Sequence, residues 1–116
     1  MLSQLGYIYV RHNDYPLAIQ TYLKVAELAP ARAETFFNLG YIYAVTEKYD
    51  KAKEMYCRVV ELQPDYLDEA LFNLAMVQVQ LGERDDCIKS LKQAIEINPA
   101  NQTAKAYLEQ LKHQKE

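Results

Sequence analysis

Two histidines, two cysteines and a few adjacent carboxylates are the residues of this chain with the chemistry for catalysis or metal binding. His12 and His113 lie at opposite ends, one near a helix end and one in the tail, where histidine is usually a solvated surface residue. Cys57 and Cys87 lack the close paired spacing of a zinc site or a redox motif. Asp85-Asp86 could be read as a catalytic pair, but beside Arg84 at the start of a helix they read as negative charge favoured at a helix N-terminus. Asp65, Asp68 and Glu69 do not follow the ligand spacing of a calcium loop. No HExxH, glycine-rich phosphate loop or nucleophile elbow occurs. These residues lead us to expect no enzyme, no cofactor and no metal.

Composition narrows the class. Net charge is −3, so no basic footprint argues for nucleic acid. No apolar run approaches the roughly 20 residues of a membrane span, so membrane insertion is not expected. No charged flank leads into an apolar core at the N-terminus, as it would in a signal peptide. The default expectation is a soluble, cytoplasmic protein, and two cysteines do not set the compartment.

Apolar residues recur at helical spacing from one end of the chain to the other. Leu2, Leu5 and Tyr9 mark a first helix, broken at Asn13-Asp14-Tyr15-Pro16. Asp14 can cap the second helix, and Pro16 fits its first turn. Ala18, Ile19, Tyr22, Val25, Ala26 and Ala29 trace that second helix to Pro30. Asn13, Glu47 and Gly82 fall at matching turns that favour a left-handed backbone, so Glu47 should be the most strained. Asp65 or Asp68 could cap the fifth helix. Ala104, Tyr107, Leu108 and Leu111 form one stripe on a last helix whose other side is polar, Lys115 included.

The landmarks repeat at a period of about 34 residues. Phe36, Leu39, Gly40 and Tyr43, then Ala52, Tyr56, Val59 and Pro64, form the clearest copy. Leu2, Leu5, Gly6 and Tyr9, then Ala18, Tyr22, Val25 and Pro30, form the copy before it. Leu71, Leu74 and Ala75, then Cys87, Leu91, Ala94 and Pro99, form a weaker copy after it. There, Ala75 replaces a glycine, Gln78 replaces an aromatic and Cys87 takes a small buried slot, which implies looser or rearranged packing.

This pattern resembles the tetratricopeptide repeat: a large residue, Leu-Gly, an aromatic, then Ala, an aromatic and a closing Pro. The resemblance implies an all-α, right-handed superhelical solenoid of three helix hairpins plus a C-terminal capping helix. Repeats are expected at about 1–32, 33–66 and 68–101, with the cap at about 102–115. Met1 falls two residues inside a complete first repeat, so a piece of a longer protein is expected.

In such a stack the first helix of each repeat lines a concave face, and the family is a non-enzymatic scaffold for other proteins. The resemblance therefore points to a groove formed by Tyr7, Phe37, Tyr41, Phe72 and Met76. Aromatics and methionine bury large area with few rotamers to freeze. Phe37 and Phe72 could instead fill gaps between first helices. Gln4, Asn38 and Asn73 recur in register, and Asn38 and Asn73 could pair with a peptide backbone or tie neighbouring helices together.

The slots with which one subfamily clamps a chaperone C-terminal carboxylate hold Ser3, Tyr7, Asn38, Glu69 and Asn73 here. Glu69 reverses the required sign, so such a tail is not the expected partner. With Glu34 and Glu69 beside aromatics, the expected ligand is an apolar or mildly basic peptide. The rival expectation is self-association, or packing on the rest of a longer chain, through an N-terminal edge of Leu2, Leu5 and Tyr9.

Overall fold

The computed structural model describes residues 2–114. Among these described residues seven helices follow one another: α1 Leu2–Arg11, α2 Tyr15–Leu28, α3 Ala33–Val45, α4 Tyr49–Leu62, α5 Leu67–Gln80, α6 Arg84–Ile97 and α7 Gln102–Gln114. Consecutive helices pack on each other, as hairpins α1/α2, α3/α4 and α5/α6, with α7 against α6. The array measures 46 × 26 × 20 Å, the elongated form of a stack whose units touch only their neighbours. Lys115, assigned above to the capping helix, lies outside the described residues.

The hairpin turns share one backbone device. Asn13, Glu47 and Gly82 take positive φ of 59°, 61° and 78°. The next N–H in each case, from Asp14, Lys48 and Glu83, donates to the carbonyl five residues back, at 2.8 Å. Three residues back, the carbonyls of Val10, Ala44 and Val79 accept from the left-handed residue itself. These are Schellman caps, which satisfy carbonyls that a helix end otherwise leaves open. Gln63 ends α4 with φ of 50°, a left-handed cap that no glycine or asparagine announces.

Caps at helix starts are mixed. Asp14 accepts from the Leu17 N–H at 3.4 Å, and Asn101 accepts from the Ala104 N–H at 3.0 Å. The expected cap at Asp65 or Asp68 is not formed: Tyr66 holds that position without a side-chain bond. Asp68 instead accepts from the amides of Asn98, at 3.0 Å, and Asn101, at 2.9 Å. Its carboxylate is thereby committed to the third hairpin's far end, and the Asn98 contact leads the causes that hold it below its ordinary pKa.

The core has two lobes. Tyr22, Leu39, Ile42, Tyr43, Tyr56 and Leu74 belong to one, and Leu71, Cys87, Leu91, Ala104, Leu108 and Leu111 to the other. α5 feeds both, with Leu74 on one side and Leu71 on the other. In the third repeat Ala75 and Leu91 are fully buried, and Gln78 accepts from the Ser90 hydroxyl at 2.8 Å. The packing there is rearranged and not loose. Polar ties cross between units as well. Lys53 pairs with Glu83 at 2.8 Å, and Arg84 donates to the Leu111 carbonyl on α7.

Candidate functional site

Helices α1, α3 and α5 are separated along one side of the stack by three hollows. The hollow between α1 and α3, about 600 Å³, is bordered by Gln4, Tyr7, Ile8, Tyr22, Glu34 and Asn38 among others. A second, about 300 Å³, lies between α3 and the start of α5 and is lined by Glu34, Phe37, Asn38, Tyr66 and Glu69. The third, about 250 Å³, includes Tyr41, Tyr49, Tyr56, Asn73, Met76 and Gln80 in its wall. The spacing of i, i+3 and i+4 brings these residues to one side of each helix.

The residues singled out in the sequence distribute over these hollows unevenly. Tyr7 is 56 % exposed, and its hydroxyl accepts from Arg11 at 3.2 Å. Asn38, half-buried, borders the first two hollows at once. Tyr41, 49 % exposed, meets Asn73 and Met76 in the wall of the third. Phe37 is half-buried and makes edge contacts with the rings of Tyr56, at 5.8 Å, and Tyr66, at 5.2 Å. Phe72 stands apart: its ring meets Tyr107 of α7 edge-on at 6.3 Å, and it borders none of the three hollows.

Tyrosines from outside the first helices complete the walls, where repeat register alone does not put them. Tyr22 and Tyr56 are repeat landmarks, buried almost completely, and they line the first and third hollows. Tyr22 donates to the Ser3 carbonyl at 3.5 Å. Burial pushes the Tyr56 phenol up to about 12, with the Asn73 amide pulling the other way. Tyr66, in the loop before α5, is raised first by burial, then by Glu34 and Glu69. The available signal was residue type: a tyrosine in a buried landmark slot needs somewhere polar for its hydroxyl.

Among the described residues no group of three or more His, Cys, Asp and Glu could hold a metal ion. None of the described helices is long and apolar enough to cross a membrane. Cys87 is buried and Cys57 exposed, both as free thiols.

The family model described as TPR repeat matches residues 6–45, and that described as Tetratricopeptide repeat matches residues 33–66 and 68–101. The chain belongs to the tetratricopeptide repeat family. No curated protein sequence matches it. Solved structures place the fold firmly within the family. The first repeat domain of Spaghetti (RPAP3), bound to the HSP90 peptide SRMEEVD, superposes with a TM-score of 0.87 at 20 % identity, covering 97 % of this chain and 88 % of that one. The Yersinia enterocolitica type III secretion chaperone SycD, in complex with a peptide of the translocator YopD, gives 0.90 at 20 % identity over 99 % of this chain and 92 % of that one. YrrB, a tetratricopeptide protein with an unusual peptide-binding site, gives 0.81 at 22 % identity over 92 % of this chain and 55 % of that one. At such identities the likeness is one of fold. The all-α solenoid expected from the repeat pattern is thereby established.

Proposed function

We infer that this tetratricopeptide protein is a non-enzymatic interaction scaffold that holds a peptide segment of a partner along α1, α3 and α5. The observation that carries the reading is the row of three hollows, bordered by Tyr7, Phe37, Asn38, Tyr41, Asn73 and Met76. Tyr7 and Tyr41 are large, exposed and restricted to few rotamers, the qualities of a binding hot spot. Asn38 and Asn73 bring a donor and an acceptor each to a peptide backbone. Phe72 contributes by fixing α5 against α7 through Tyr107. The bound segment is apolar or mildly basic, and Glu69 turns away a C-terminal carboxylate. That Spaghetti and SycD each hold a peptide on the same fold supports the reading.

Affinity capture with the native domain and with its Tyr41→Ala/Asn38→Ala/Asn73→Ala variant tests it. Partners retained by the native domain and lost by a folded variant are the expected result. Equal capture by both forms would move the working surface elsewhere.

A second reading, self-association or packing on a longer chain, is favoured by the first hairpin. Its exposed large apolar side chains include Leu5, Ile8, Leu17, Leu23 and Leu28, the last 69 % exposed. Leu2 and Tyr9, expected on that edge, are half-buried, Tyr9 against the core. Light scattering across a dilution series separates the two readings, since a strictly monomeric domain removes self-association.

A further inference from the structure

We propose that the hollow between α3 and α5 holds a cationic side chain of the bound peptide, an arginine or lysine, between the carboxylates of Glu34 and Glu69 and the rings of Phe37 and Tyr66. The proposal rests on the peptide-binding reading above and assigns a chemistry to one subsite of it.

Charge complementarity carries it. The residues bordering the three hollows include two formal charges, Glu34 and Glu69, and no cation. Two arginines are held at the wall of the α1/α3 hollow and not in this one: Arg11 donates to the Tyr7 hydroxyl at 3.2 Å and Arg32 to the Ser3 hydroxyl at 3.4 Å. Among the described residues neither Glu34 nor Glu69 enters an ion pair. Both stay exposed to water, so an incoming cation meets unneutralised carboxylates at little desolvation cost.

The two carboxylates line the same hollow with Tyr66 between them in sequence. Burial raises the Tyr66 phenol, and Glu34 and Glu69 add to that in the same direction. Phe37 and Tyr66 meet edge-on at 5.2 Å with planes 72° apart, which sets ring surface beside the acids. Ring faces attract a cation, and a planar guanidinium more readily than an ammonium. At about 300 Å³ the hollow suits one side chain and not a packed helix. The neighbouring hollow of Tyr41, Met76 and Val77 carries no charge and would take an apolar residue of the same peptide. The preferred segment therefore pairs a basic residue with an apolar one, and an acidic tail such as the SRMEEVD held by Spaghetti is repelled.

A phage-displayed library of random dodecapeptides, selected on the whole chain, tests the proposal. The chain with Glu34→Gln/Glu69→Gln and the chain with Tyr41→Ala serve as comparisons, each verified as helical by circular dichroism. The expected result is enrichment of Arg or Lys beside an apolar residue. Such peptides should bind the double Gln variant roughly tenfold more weakly, the size of one charge-assisted contact. Their affinity should also fall as salt rises. Selected peptides without basic bias, or equally tight on the double Gln variant but lost on Tyr41→Ala, overturn the cation subsite and leave the groove standing. Peptides indifferent to all three substitutions, or no selection above background, overturn both.

Discussion

Gly40 has no room for a side-chain carbon: a Cβ there would stand 2.7 Å from Cε1 of Tyr56. The same relationship joins Gly6 to Tyr22, at 2.8 Å from Cζ. In the third repeat the equivalent slots hold Ala75 and Leu91, both fully buried, where a smaller partner has made space for the methyl. Helix approach in each hairpin is thus set by a pair of residues, one on each helix. Gly40→Ala should destabilise the domain by about 1–2 kcal/mol, overpacking outweighing the roughly 1 kcal/mol gained in helix propensity. Adding Tyr56→Leu should make the Ala substitution cheaper than it is alone. A double-mutant cycle by thermal denaturation measures this, and strict additivity would disprove the coupling.

Glu47 holds φ of 61° in an exposed turn where the third repeat places Gly82. A left-handed backbone costs a side-chain-bearing residue about 1–2 kcal/mol, partly offset by the lower unfolded-state entropy of a non-glycine residue. Glu47→Gly should therefore stabilise the domain by roughly 0.5–1 kcal/mol. Urea denaturation should show a higher midpoint with an unchanged slope. A lower midpoint would mean that the Glu47 side chain contributes more than its backbone strain removes.

Asp68 clasps Asn98 and Asn101, and those bonds hold its carboxyl below the ordinary carboxylate pKa. Because the folded-state value is depressed, the contribution is fully present above the unfolded value of about 3.9. It is lost as pH falls through the lower, folded value. Asp68→Ala should cost about 1 kcal/mol at neutral pH, a charged hydrogen-bond pair discounted for solvent screening. Stability curves of the two proteins should run parallel above pH ~5 and converge below pH ~4. A gap that persists at low pH would assign the loss to packing instead.

Tyr41 and Tyr56 border the same hollow yet differ in burial, at 49 % and 2 % exposed. Tyr41→Ala should leave the melting temperature nearly unchanged, within about 0.5 kcal/mol, while weakening peptide binding. Tyr56→Ala should cost about 3–5 kcal/mol as a large core deletion. Comparing melting curves with peptide titrations for both variants checks the split. Loss of helical signal in Tyr41→Ala would move that residue from groove to core.

The candidate groove residues are only partly legible in the sequence. Register puts Asn38 and Asn73, Tyr7 and Tyr41 on equivalent turns, because a helix face follows from spacing alone. Whether such a side chain faces solvent or a neighbour depends on what the next helix carries. Phe72 illustrates this, drawn to Tyr107 some 35 positions downstream. Tyr66 sits between Pro64 and Leu74, a stretch one residue longer than that between Pro30 and Leu39, so register does not carry a position across it.

By itself, then, the sequence determined the helices, their pairing and the three hairpin turns. Those depend on local chemistry: apolar periodicity, small residues where helices meet, and Asn13, Glu47 and Gly82 at left-handed caps. The tertiary structure alone decided the partners of individual polar and aromatic groups. Asp68 had a local option as a cap and took two amides about 30 residues away instead. Gln78 found Ser90, and Lys53 found Glu83. Side-chain bonds across a stack depend on the distance and tilt between neighbouring units, and those emerge only once the two lobes of the core have packed.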